Sequence, residues 1–160
     1  MLFSKNRDRK LKRWHVVFLL VMIGLAIVYK LFSMYWPKAI VNIGGESLTV
    51  LLANNYRHRF EGWSNKNSMG KYGGMLFVFP ERSQHAMVMR DMRFPLDLVW
   101  LDGFTIVDIA AKAAPEPGRA EKDLTLYLAR SPSTMVLELP SGFAEKHGLK
   151  VGDSIKVASD

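Results

Sequence analysis

The apolar run from Trp14 to Trp36 most constrains how this chain can fold. Its first sixteen residues carry no formal charge, and Lys30 is its one formally charged residue. About 20 such residues are enough for a helix to cross the hydrocarbon core of a bilayer. A run with no polar face at helical spacing does not suit the surface of a soluble domain. We therefore predict one transmembrane helix over residues 14–36, with Lys30 reaching toward the headgroups.

The residues before this run predict its orientation. Six of the 22 Lys and Arg residues lie within residues 1–13, whereas only one of the 15 acidic residues does. Cytoplasmic flanks of membrane spans are enriched in Lys and Arg. We predict that residues 1–13 form a basic cytoplasmic tail, and that the following domain lies on the periplasmic or extracellular side of the cell (inner) membrane.

A cleaved signal peptide is the alternative to an uncleaved signal-anchor, because it shares the basic head and the apolar middle. Gly24 and Ala26 have the small side chains that a cleavage site needs, but Ile27, Val28 and Tyr29 continue the apolar run where a polar segment belongs. The sequence favours the uncleaved anchor.

Composition excludes several kinds of function for the rest of the chain. After residue 13 there remain 16 basic and 14 acidic residues, so we predict no basic face for nucleic acid. The absence of cysteine excludes disulfides and thiolate chemistry. The histidines lack the spacing of a metal motif, and we predict neither a metal nor another cofactor. These histidines are His15, His58, His85 and His147.

Short apolar runs predict a mostly β domain over residues 39–160. Runs at 75–79, 85–89 and 96–101 are bounded by glycine, proline and charge, a pattern typical of buried strands, because a core helix needs about ten residues or more. Further strands are predicted at 124–129, 134–139 and 154–157. Hairpin turns are predicted at Gly44-Gly45 and Asp102-Gly103. Short helices are predicted over 56–61, between Asn55 and Gly62, and over 142–147 after Ser141. We predict an α+β fold, compact and barrel-like.

Several segments resemble the uncharacterised bacterial and archaeal family called domain of unknown function 192. These segments are Gly74–Phe79, Met89-Arg90, Phe94–Asp97 and Val136–Leu139. The resemblance extends roughly from Ser47 to Val157, and it implies a compact β-rich α+β domain but no chemistry. It draws attention to Met89, Arg90, Pro95 and Asp97. The chain departs from the family pattern at Gly62-Trp63-Ser64 and at Asp91-Met92.

A charged corner between two predicted strands is the candidate ligand site. Arg90, Asp91 and Arg93 lie close in sequence to Asp97. Arginine presents a planar fork of donors to paired oxygens, so the corner suits an anionic or sugar-like ligand. The alternative is a solvated turn whose charges pair with one another, with Asp97 pinning the loop by accepting backbone N–H groups.

Other residues are predicted to be structural, namely Gly74, Met89, Pro95, Glu138, Gly152 and Asp153. Strand alternation places Leu137 and Leu139 on one face and Glu138 outward. If both faces are covered, Glu138 becomes a buried acid that needs a partner such as Arg90 or Arg93. Gly152-Asp153 is interpreted as a corner that leads into the last strand.

The function predicted from the sequence is binding outside the cytoplasm. Besides the membrane that anchors it, the partner is a polar envelope ligand such as a saccharide, or a membrane protein in an envelope assembly. A flat apolar patch with Trp63, Trp100 or Met92 would indicate a protein partner. The alternative function is a hydrolase or lyase that acts on an envelope saccharide, which would need Asp91, Asp97 and Glu138 in one cleft. No residue is predicted to be catalytic.

Overall fold

The computed structural model of the chain describes residues 12–159, and these divide into two units on either side of the Tyr35–Trp36 bond. Helix α1 (Arg13–Ser33) makes up most of the first unit, and none of its side chains is buried. It is long and apolar enough to cross a membrane, a property that anchors and signal sequences share. The predicted span over 14–36 overlaps this helix. The predicted basic tail lies almost entirely outside the described residues.

Short strands make up most of the second unit. The strands are β1 (Lys38–Ile43), β2 (Glu46–Ala53), β3 (Gly74–Ser83), β4 (Ala86–Met87), β5 (Leu96–Asp102), β6 (Thr105–Ala113), β7 (Tyr127–Leu128), β8 (Ser133–Pro140) and β9 (Lys156–Ser159). The helices are α2 (Tyr56–Glu61) and α3 (Phe143–Lys146), with a 3-10 turn at Glu121–Asp123. The prediction of an α+β, mostly β fold with short helices is confirmed.

Seven strands form one sheet in the order β6-β5-β8-β3-β2-β1-β9, while β4 and β7 form a separate two-stranded ladder. β2 and β3 pair in parallel. Among the described residues, the two edges of the sheet approach each other through the segment just before β9, where Ile106 N–H donates to Asp153 O at 2.8 Å and Gly152 N–H donates to Ile106 O at 2.9 Å. The predicted barrel-like shape is corrected on this point, because the sheet does not close into a barrel.

The sheet has a hydrophobic cluster on each face, and β8 lies in its interior, between β3 and β5. Leu137 and Leu139 belong to an aliphatic cluster with residues of β1, β2 and β5. Val136 belongs to the opposite cluster, which is rich in Met and aromatic side chains. Because successive side chains of a strand point to opposite faces, Glu138 lies on the same side as Val136.

Most predicted local signals agree with the structure. Gly44-Gly45 and Asp102-Gly103 join β1 to β2 and β5 to β6. The Asn55 side chain caps α2 by accepting the His58 N–H at 2.9 Å, and α2 ends at Gly62, which has φ +45°.

Three local predictions are corrected. β3 continues through Pro80 to Ser83, which is tolerated because its register with β8 shifts between Val78 and Ser83, where proline need not donate to the ladder. The strands predicted at 85–89 and 124–129 shrink to the two-residue pair β4 and β7. Ser141 does not cap α3, whose N-cap is Gly142 with φ +85°.

Candidate functional site

Asp97 lies in the interior of the domain and has no exposed surface. One carboxylate oxygen accepts the N–H groups of Lys112 at 2.8 Å and Gly142 at 3.0 Å, and the other accepts the N–H of Ala144 at 2.8 Å. The carboxylate thus ties β5 to the end of β6 and to the start of α3. The prediction that Asp97 lines a ligand site is corrected, since no part of this side chain faces a cleft.

Of the other residues of the charged corner, Arg90 and Asp91 lie side by side and Arg93 lies apart from them. Arg90 and Asp91 line the same surface depressions, of about 270 Å³ and about 330 Å³. Asp91 is exposed, has φ +51°, and its carbonyl accepts the Asn65 N–H at 2.9 Å. Arg93 is exposed and donates to Asn67 Oδ1 at 2.6 Å, away from these depressions.

Two of the predicted structural residues lie in the buried part of the domain. A Cβ atom on Gly74 would clash with the backbone oxygen of Glu138, so β3 approaches β8 more closely than a side chain allows. Met89 is 1% exposed and packs in the Met-rich cluster. Pro95, by contrast, is exposed at the start of β5.

The corner at Gly152-Asp153 lies at the junction of the two sheet edges. Gly152 has φ +97°, a conformation that favours glycine. One carboxylate oxygen of Asp153 accepts the Lys150 N–H at 2.9 Å, which closes the turn before β9.

Glu138 is the unexpected residue of this domain. Its pairing partners in the ladder are Met75 and Leu98, and the side chain is 5% exposed. The expectation that Glu138 points outward is wrong, because loops and α2 cover this face of the sheet as well. Its Oε2 atom is buried and has no hydrogen-bond partner among the described residues. Burial raises the pKa of Glu138 to about 8.

Trp63 carries a second buried polar atom without a partner. The residue follows α2, is 4% exposed, and packs edge-to-face against Phe94 with ring centroids 6.2 Å apart. Its indole Nε1 is buried and has no acceptor among the described residues. More than nine in ten buried polar groups of folded proteins are paired, and an unpaired one costs about 1–3 kcal/mol. Two such atoms therefore need an explanation.

Trp63 and Glu138 line one and the same cavity, of about 260 Å³, which we call the Glu138 cavity. Helix α2 and the three residues after it contribute one part of its wall, β3 and β8 another, and residues 86–92 a third. Aromatic and thioether side chains make up much of the lining. They are Tyr56, Phe60, Trp63, Phe77, Met87 and Met92.

Two arginines add positive charge to the Glu138 cavity, and their partners differ. The Arg90 guanidinium donates to the Glu121 carboxylate, with Nε 2.6 Å from Oε2, and lies 4.4 Å from the centre of the Phe60 ring. The hydrogen bond to Glu121 raises the pKa of Arg90. Arg59 donates to the Val78 carbonyl at 3.0 Å, and no carboxylate among the described residues forms an ion pair with it.

Sequence reasoning found Arg90 but assigned Glu138 to structure and did not assign Trp63 or Arg59 to the site. The signal for Glu138 was present, since an acid inside an apolar run is unusual. Trp63 could have been noticed because the chain departs from the family pattern at Gly62-Trp63-Ser64, directly after α2. Neither signal could show that the two side chains meet, because 75 positions separate them along the chain.

The remaining titratable clusters do not suggest a metal centre. Within residues 12–159, no group of three or more His, Asp or Glu side chains could hold a metal ion. His58 is buried and stacks on Trp36 with ring centroids 4.0 Å apart, and burial lowers its pKa. The Glu138 cavity is therefore the candidate functional site.

Comparisons with known proteins place the domain in a family. A search of functionally curated proteins found no significant match. A crystal structure from Sinorhizobium meliloti, described as a "putative transcription regulator", is similar with a TM-score of 0.65 and 28% identity, over 77% of this chain and 94% of that one. A crystal structure of a protein of unknown function from Novosphingobium aromaticivorans is similar with a TM-score of 0.62 and 25% identity, over 76% of this chain and 84% of that one. The family model of domain of unknown function 192, an uncharacterised family, matches residues 39–157, and the chain therefore belongs to that family.

Proposed function

We propose that this chain is a membrane-anchored domain that binds a small polar ligand in the Glu138 cavity. The observation that carries the proposal is that two residues lining one cavity, Trp63 and Glu138, each carry a buried polar atom (Nε1 and Oε2) with no hydrogen-bond partner among the described residues. Concave sites lined by aromatic side chains and a few convergent polar groups are the usual form of small-molecule sites. A ligand that pairs with both atoms would remove the cost of leaving them buried and unsatisfied.

A small molecule fits this surface better than a protein partner does. Trp63, Trp100 and Met92 are 4%, 1% and 8% exposed, so they do not form the flat apolar patch that a protein partner would need. Exposed aromatic side chains of α2 at the cavity, Tyr56 and Phe60, offer ring faces instead. A saccharide-like ring, with apolar faces and polar edges, suits such a lining.

The membrane location is part of the same proposal. Helix α1 is apolar apart from a few residues near its ends, Arg13 and Lys30 among them, and the sequence before it is basic. Together these features support a single-pass anchor in the cell membrane, with the N-terminus in the cytoplasm and the ligand-binding domain on the other side. The ligand would then come from the cell envelope.

One observation favours a second candidate, a hydrolase or lyase acting on an envelope saccharide. A carboxyl group with a pKa of about 8 is protonated at neutral pH and could act as a general acid. Glycoside chemistry needs a second carboxylate, and Glu61 also lines the cavity. Asp91 and Asp97 do not line it, so the expected triple cluster of carboxylates is missing. Binding is therefore the first proposal.

The test is ligand-dependent thermal unfolding of the full chain in uncharged detergent. We would add saccharides of different charge, such as glucose, N-acetylglucosamine and glucuronate, together with small organic acids and amides. A ligand at 100 times its Kd stabilises the folded state by about 2.7 kcal/mol. Trp63→Phe and Glu138→Leu should abolish the shift, whereas the exposed control Glu145→Gln should keep it. Equal shifts in the wild type and both cavity variants, or no shift with any probe, would contradict the proposal.

A further inference from the structure

We infer that the Glu138 cavity receives the carboxylate group of a small organic acid whose ring or apolar body packs against the aromatic wall. This inference rests on the proposed function and narrows it to one class of ligand. It follows from the hydrogen-bonding capacity of three side chains that come together at the cavity, Trp63, Arg59 and Glu138.

Trp63 sets the first condition on the ligand. An indole N–H can donate a hydrogen bond but cannot accept one. Since Nε1 is buried and unpaired, the ligand must present an acceptor to it. This excludes an ammonium group as the part of the ligand that meets Trp63.

Arg59 sets the second condition. A guanidinium has five N–H donors, and one Nη atom of Arg59 donates to the Val78 carbonyl while the group lies 5.7 Å from the centre of the Phe79 ring. No ion pair to Arg59 is formed among the described residues, whereas Arg90 is matched by Glu121 and Glu61 by Arg57. Arg59 thus brings to the residues that line the cavity one positive charge without an acidic partner, and a neutral ligand would leave that charge unmatched.

Glu138 does not cancel that charge at neutral pH. Burial raises its pKa to about 8, so the side chain is a neutral acid that can donate to an oxygen of the ligand. The other titratable side chains that line the cavity are Tyr56, Arg59, Glu61 and Arg90. The combination of an indole donor, an acid donor and an unmatched guanidinium selects an anion with paired oxygens.

The size and lining of the cavity indicate what the ligand carries besides its carboxylate. About 260 Å³ lies just below the range of roughly 300–1,000 Å³ that holds drug-sized molecules. The cavity therefore suits a single ring with its carboxylate. Phe77, Met87 and Met92 provide an apolar surface for such a ring, and an acidic sugar or an aromatic acid meets the requirement.

The experiment compares matched probes by isothermal titration of the full chain in uncharged detergent. Benzoate is paired with benzamide and glucuronate with glucuronamide, because each pair differs mainly in charge at the same group. We expect the better acid to bind at least tenfold more tightly than its amide at pH 6.5. Raising the pH to 9 should weaken acid binding about tenfold, because a group with a pKa of about 8 is then mostly ionised and repels the ligand.

Two variants assign the effect to the residues named. Arg59→Gln should remove the preference for the acid over the amide, whereas the exposed control Arg82→Gln, which pairs with Asp102 elsewhere, should keep it. Glu138→Gln should still bind the acid, because the amide N–H can donate, but binding should no longer change between pH 6.5 and 9. The thermal unfolding midpoint of each variant is measured beside that of the wild type, so that a loss of binding caused by unfolding is recognised.

The outcomes separate this inference from the proposed function. Amides or neutral saccharides that bind as tightly as the acids, with loss of binding in Trp63→Phe, would overturn the carboxylate inference and leave the cavity as a binding site. Acid binding that is equal in the wild type and Arg59→Gln would also overturn it. If no acid, amide or saccharide binds, both the inference and the proposed function are wrong.

Discussion

Replacing Glu138 by Gln should flatten the dependence of folding stability on pH. The pKa of this carboxyl is about 8 in the folded chain, against 4.5 for an ordinary glutamate. Between these values the folded state holds one more proton than the unfolded state, so the contribution of Glu138 to stability is fully present below pH 4.5 and is lost as pH rises toward 8. Glutamine does not titrate, so the stability of the variant lacks this dependence on pH.

The size of the effect follows from the width of that interval. Each pH unit within it costs about 1.4 kcal/mol for one proton. Between pH 5 and pH 7 the wild type should therefore lose about 2.5 kcal/mol more than Glu138→Gln. Other groups titrate in both proteins, so the difference between the two slopes isolates the contribution of Glu138.

Urea unfolding of residues 36–160 at pH 5, 6 and 7 would measure this difference. The solved relative from Sinorhizobium meliloti consists almost entirely of the matching domain, which supports using this part of the chain alone. Glu145→Gln is the matched control, because its side chain is 71% exposed, and its slope should follow the wild type. Parallel slopes for the wild type and Glu138→Gln would refute the argument that Glu138 is buried and protonated.

Further predictions follow from single contacts. Asp97→Asn should lower the free energy of unfolding in urea by about 1–3 kcal/mol, because the amide nitrogen cannot accept the Ala144 N–H; an unchanged value would show that Asp97 is not an anchor. Gly74→Ala should lower the thermal unfolding midpoint by the equivalent of about 1–3 kcal/mol, since its Cβ meets a backbone oxygen, and a midpoint equal to the wild type would show that the strands can separate. Asp153→Ala should cost about 1 kcal/mol in the same assay, and no loss would mean that its hydrogen bond contributes nothing. A reporter that is active only outside the cytoplasm should be active when fused after Asp160, and inactivity with correct expression would reverse the proposed topology.

The hairpins and α2 were predictable from sequence because their determinants are local. Gly44-Gly45 supplies the positive φ that a tight turn needs, and Asn55 caps α2 with its own side chain. Such features need no knowledge of distant residues. Even so, β3 was predicted too short, because the register shift that accommodates Pro80 depends on pairing with β8, far along the chain.

The candidate site was less predictable because it depends on which surfaces are covered. Strand alternation alone puts Glu138 outward, and only the packing of α2, residues 62–72 and residues 86–94 over that face makes it a buried acid. Similarly, Asp97 and Arg90 are close in sequence, but the strand direction sends one into the core and leaves the other beside the cavity. Closeness of charged residues in the sequence therefore wrongly predicted that Asp97 and Arg90 belong to one site.

The two faces of the sheet differ in a way that bears on function. The cluster behind β8 contains mainly Val, Leu and Ile, side chains with well-defined rotamers that pack into a rigid core. The cluster that includes the cavity wall is built from aromatic rings and five of the chain's nine methionines, namely Met69, Met75, Met87, Met89 and Met92. Methionine is flexible and polarisable, so it can follow the shape of a bound molecule. One face of the sheet therefore supplies stability, and the other combines adaptable apolar contacts with the unpaired polar atoms of Trp63 and Glu138, which is the arrangement that the proposed binding function requires.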